Sequence, residues 1–151
     1  MIRTNDAAAT LALFERLKRP IDAQYGFIGD APTLAAIRAK APKAWAWNEE
    51  EGRACFAAYV KFGWFGITPD ICKGGTILIP LDQKWKVAGW PKRFVARMEA
   101  AGTRMILTAP DGLNGELVGL SALTQIPEVP RDYNGYLWVD DIALIGPALE
   151  R

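Results

Sequence analysis

Five short apolar runs recur along the chain: "YGFIG" (25–29), "KAWAW" (43–47), "TILIP" (76–80), "RMILTA" (104–109) and "GYLWV" (135–139). Longer stretches with helical spacing lie between most of them. This alternation constrains the fold more than any other feature. Strand-length runs with little polar alternation are buried on both faces, and helices between them are the usual right-handed crossovers of a parallel sheet. The pattern predicts an α/β class.

Capping residues mark where the helices begin. In "NDAAATLALFERLKRP" (5–20), Asn5 or Asp6 is the N-cap, Leu11, Phe14 and Leu17 form one stripe, and Pro20 stops the run. Asp30 caps "APTLAAIRAKA" (31–41), with Leu34 and Ile37 facing inward and Pro42 ending it. Asn48 and the acids Glu49, Glu50 and Glu51 suit the positive end of a third helix, along which Cys55, Phe56, Tyr59 and Val60 repeat. "PKRFVARMEAAG" (91–102) has proline in its first turn, Phe94, Val95 and Met98 on a stripe, and Gly102 just beyond its end. "GWFGITPDICKGG" (63–75) is rich in turn residues, "LDQKWKVAGW" (81–90) has no clear period, "LSALTQI" (120–126) is weakly helical, and "IALIGPALE" (142–150) is a short closing helix.

Length and charge remove several function classes. The chain has 151 residues, enough for one ordinary domain, and half of them are hydrophobic. Eighteen basic against seventeen acidic residues, with no block of either sign, give no general electrostatic case for nucleic acid or an anionic membrane. No stretch approaches the roughly 20 apolar residues of a membrane span, and the first residues lack a signal-peptide core. The default expectation is therefore a soluble, cytoplasmic chain without an export signal of its own. Histidine is absent, which removes the commonest general base and the commonest metal ligand. Cys55 and Cys72, the only cysteines, suit neither a zinc site nor a CxxC pair. Two buried free thiols are expected, a disulfide being open only in an oxidising compartment.

In α/β folds ligands sit where strands end and the next helices begin, which singles out Asp30, Asn48, Ala109, Asp140 and Asp141. Asp140 and Asp141 are consecutive, so they diverge from a strand end and do not form an acid/base pair; one of them should cap the closing helix. Glu49–Glu51 fan out by about 100° per residue on a helix, which suits a solvated first turn better than a metal cluster. "CKGG" (72–75) lacks the spacing of a phosphate-binding loop. Trp45 and Trp47 share a strand face, and most of the six tryptophans are read as packing.

Taken together, "FIGDAPTLAAIRAKAP", "CFAAYVKFGWFGITPDIC", "TILIPLDQKW", "GWPKRFVARMEAAGTRMILTAP" and "YNGYLWVDDIALIGPAL" resemble the C-terminal portion of the glycerophosphodiester phosphodiesterase family, in order from about Ile2 to Leu149. The resemblance implies a partial TIM barrel, its C-terminal half, with about five parallel strands and intervening helices. It also implies a link to lipid and glycerophosphodiester metabolism. Members are similar metal-dependent hydrolases that use two histidines and a divalent ion, calcium or magnesium, carried on His-Arg-Gly, Glu-x-Asp and His-Asp motifs. None of the three motifs is present here. The implied expectation is a family protein inactive alone, from a truncated or split gene, with no catalytic residue and no metal ligand of its own.

On the substrate side, the resemblance implies contacts from Arg3, Asp30, Trp138 and Asp140. Asp141 stands where members carry a basic residue, and "VGLSALT" (118–124) stands in for a Gly-Ile-Asp segment. A half barrel also leaves an apolar inner face, and ten wet side chains would forgo about 15–30 kcal/mol, more than a domain's net stability. Something must cover that face. Self-association, a complementary N-terminal half or a rearranged sheet are the expected solutions. The alternative function is a non-enzymatic half-barrel assembly module.

Overall fold

The computed structural model describes residues 1–112 and 115–149. Its strands and helices alternate, and every strand pairing is parallel. The chain divides into two compact units, Met1–Glu50 and Glu51–Arg151.

In the first unit, β1 (Ile2–Arg3), β2 (Gly26–Ile28) and β3 (Trp45–Trp47) form a three-stranded sheet in that order. Helix α1 (Ala7–Arg16) follows β1 and α2 (Ala31–Lys40) follows β2. The caps are the acids that the sequence offers. Asp6 accepts the amide of Ala9 at 2.9 Å and Asp30 that of Thr33 at 2.9 Å, each satisfying a helix-end donor with no partner inside the helix. The core joins Phe14 of α1, Phe27 of β2, and Leu34 and Ile37 of α2, with Ile2 and Ala46 packed against it. Period-two alternation puts Ile28, Trp45 and Trp47 on the other sheet face, where all three are buried. The two indoles stack at 6.1 Å. Leu17 departs from its expected inward place: α1 ends at Arg16, Leu17 becomes the C-cap, and its side chain is exposed.

In the second unit, α3 (Glu49–Phe62, all but its first two residues) leads through short 3-10 turns to β4 (Thr76–Pro80). Helix α4 (Lys92–Ala100) connects β4 to β5 (Arg104–Thr108), and β6 (Tyr136–Leu137) pairs with β5. The chain continues through a bridge between Val139 and Leu120 into α5 (Ile142–Leu149). The unplaced segment after β4 is a 3-10 turn over Leu81–Lys86, and the weakly helical patch is another over Leu123–Glu128 that contains Pro127. Ile77, Ile79, Met105 and Leu107 join Cys55, Tyr59, Phe94, Val95 and Met98 in one core.

Leu78 and Ile106 alternate with that set and are also buried, at 2% and 1% exposure. Gly52 of α3 lies so close to Leu78 that a Cβ there would stand 2.6 Å from Leu78 Cγ. A helix of this unit therefore covers Leu78. The cysteines correct the free-thiol expectation. Cys55 and Cys72 are disulfide-bonded, with Cα atoms 5.0 Å apart, because α3 brings Cys55 back over the turn that precedes β4. Among the described residues the architecture is α/β, with two three-stranded parallel sheets.

Candidate functional site

Arg3 and Asp30 stand together at the carboxyl edge of the first sheet. Arg3 is in register with Ile28, the Thr4 amide donates to the Ile28 carbonyl at 2.9 Å, and Asp30 follows two residues later. Both side chains reach solvent. Hydrogen bonds from the hydroxyl and then the backbone amide of Thr33 hold the Asp30 carboxyl below the ordinary carboxylate range. Asp30 is thus an ionised cap at neutral pH. Asn48 directly precedes α3, beyond the end of β3.

Trp138 and Asp140 belong to the corresponding edge of the second sheet. The Trp138 amide donates to the Leu107 carbonyl at 2.8 Å, and its carbonyl accepts from Leu120 at 2.8 Å, so this residue is built into the backbone ladder. The Asp140 carboxylate accepts the Gly119 amide at 2.8 Å. A Cβ at Gly119 would lie 2.5 Å from the Asp140 amide nitrogen, so the approach that makes this bond requires glycine. Asp141 caps α5, its Oδ1 accepting from the Leu144 amide at 3.0 Å. The consecutive acids do diverge, one to a neighbouring loop and one to a helix end, as alternation at a strand end demands.

A polar constellation that the sequence does not announce lies at the carboxyl ends of β4 and β5. Arg53 on α3 forks onto Asp111 with two contacts of 2.9 Å and donates to the Gly115 carbonyl at 2.8 Å. With Phe56, Leu78, Pro80, Gln83, Thr108 and Leu117 the pair lines a cleft of about 100 Å³. Planar, bidentate geometry makes this pair stronger than a single-point contact. Ala109, at the end of β5, is buried and bonds backbone to backbone with Val118 at 3.0 Å. The partners of Arg53 are 58 and 62 residues away in sequence, and no local spacing signals such a pairing.

A larger groove, about 600 Å³, lies at the other end of the same sheet, ahead of β6, where Val129, Arg131, Tyr133, Leu137 and Leu149 line it. Burial keeps the Tyr133 phenol protonated far above its ordinary range. The strand ends remain the better candidate despite their smaller volume, because the carboxylates and the guanidinium gather there. Chemically, the second unit's edge can hold a small polar or anionic group, but its acids are already engaged, Asp111 with Arg53 and Asp140 with Gly119; in the first unit Asp30 is likewise engaged, with Thr33. Among the described residues no three His, Cys, Asp or Glu side chains gather to hold a metal. Set against family models, curated proteins and solved structures, the chain matches none.

Proposed function

We propose that this chain is the scaffold and substrate-side portion of a glycerophosphodiester phosphodiesterase-type barrel, with no turnover of its own. The observation that carries the reading is the strand order. Within each of the two sheets the parallel strands pair in sequence order, and Asp30 and Asp140 stand at carboxyl ends. Successive parallel pairing is how a TIM barrel is laid down, and carboxyl ends are where such a barrel binds its ligand.

On this reading Arg3 and Asp30, at the carboxyl edge of the first sheet, and Trp138 and Asp140, at that of the second, are the chain's substrate-side contacts, Arg3 through its positive charge. The proton-transferring histidines and the carboxylates for calcium or magnesium come from another polypeptide segment, because this chain has no histidine. Purified chain given glycerophosphocholine with calcium or magnesium should show no hydrolysis. Adding a segment that bears His-Arg-Gly and Glu-x-Asp should restore it, and Arg3→Ala should then raise KM. Hydrolysis by the chain alone would overturn the reading. Stable association with such a segment without turnover would favour the non-enzymatic assembly module instead.

A further inference from the structure

The segment between the two cysteines presents an apolar surface that the core does not use. Phe62, Trp64, Phe65, Ile67 and Ile71 are all about half exposed or more, with Trp64 at 65% and Phe65 at 80%. They come from the end of α3, a 3-10 turn over Gly63–Phe65, and the turn around Asp70. Large apolar side chains exposed this densely within residues 62–71 mark a contact surface more often than a solitary exposed leucine does.

The backbone beneath the strip is held. The Cys55–Cys72 disulfide closes its base, Arg97 donates to the Gly63 carbonyl at 2.9 Å and to the Tyr59 hydroxyl at 3.2 Å, and the Thr103 hydroxyl donates to the Cys72 carbonyl at 2.7 Å. Gly66 turns the chain with a left-handed φ of 79°, its amide closing onto Gly63 at 3.0 Å. A strip fixed at its base stays outward, and docking it costs little ordering entropy.

We infer that this stapled strip is a docking surface for an anionic phospholipid interface. Two observations choose lipid. Trp64 and Phe65 are the most exposed of the five, and exposed aromatic side chains suit the headgroup and upper acyl levels of a bilayer. Lys61 and Arg97 flank the strip, while Asp70, the one acid from residue 61 to 73, is cancelled by its pair with Lys73 at 2.6 Å. That excess of positive charge complements anionic headgroups. Docking is peripheral, since no helix among the described residues is long and apolar enough to cross a membrane. The inference does not depend on the phosphodiesterase reading.

Flotation of the full oxidised chain with vesicles tests it. The chain should rise with phosphatidylcholine–phosphatidylglycerol vesicles and much less with phosphatidylcholine alone. The double substitution Trp64→Ser and Phe65→Ser should weaken binding roughly tenfold or more. Lys61→Glu with Lys73→Glu should reduce binding to anionic vesicles only, and added salt should act in the same direction. Brominated lipid should quench tryptophan emission in the native chain, with less quenching in a Trp64→Phe variant that still floats. No flotation with either vesicle, binding unchanged by the double substitution, or a strip-dependent dimer that ignores vesicles would each overturn the inference.

Discussion

The two units share a pattern and differ in what holds them. In Met1–Glu50 the strands are two or three residues long, and the core rests on Phe14, Phe27, Leu34 and Ile37. In Glu51–Arg151, β4 and β5 pair over five residues, and a disulfide ties α3 to the turn before β4. The same alternation of strand and helix should therefore give two grades of stability, because buried apolar area and cross-links, not the order of elements, set resistance to unfolding. Short strands make the first unit lean on its helix caps. Five-residue strands and a cross-link let the second unit lean on packing.

The largest test of that contrast is core truncation. Phe94→Ala removes a fully buried ring that touches Tyr59 and Trp90, and should cost about 3–5 kcal/mol in urea unfolding while lowering hydrogen-exchange protection of β4 and β5. Phe14→Ala should act on β1 and β2. Equal loss of protection across all strands from either variant would dissolve the distinction between the two cores.

Removing the staple comes next. Replacing Cys55 and Cys72 by alanine, or reducing the bond, should cost about 2–4 kcal/mol, read as a shift of the unfolding midpoint confined to the second unit. A midpoint that ignores reductant would mean that packing alone holds α3 in place.

Gly52→Ala sets two effects against each other. Helix propensity favours alanine by about 1 kcal/mol, while a Cβ placed 2.6 Å from Leu78 Cγ should cost about 1–3 kcal/mol, so net destabilisation is expected. Pairing it with Leu78→Ala should recover part of the loss in a double-mutant cycle. A stabilised single variant would show that α3 does not press on Leu78.

The smallest effects concern the caps. Asp141→Ala should cost about 1 kcal/mol through loss of the α5 cap. Asp30 gives a pH signature. Because Thr33 holds its carboxyl below the usual value of about 3.9, its contribution is present above that pH and is lost as pH falls through the lower folded value. Asp30→Asn should flatten that part of an acid titration followed by the exchange of α2 amides.

Much of this was legible in the residues themselves. Every apolar run that reads as a strand is one in the structure, at least in part, and Asp6, Asp30 and Gly102 mark helix ends where their chemistry places them. Asp141 likewise caps α5, because a carboxylate beside free amides needs only local chain geometry. Absence of histidine is equally a matter of composition, and it limits the chemistry whatever the fold.

What lay beyond the sequence is long-range. The disulfide, the fork between Arg53 and Asp111, the bond from Gly119 to Asp140 and the cover that Gly52 gives Leu78 all join residues 17 to 58 positions apart. Local spacing determines which segments become strands and helices, because hydrogen bonding and side-chain periodicity act within a few residues. Tertiary structure alone decided which thiols met, which acid was neutralised by which base, and which aromatic rings remained in water. Those outcomes depend on how distant segments pack, and packing has no signature in a run of neighbouring residues.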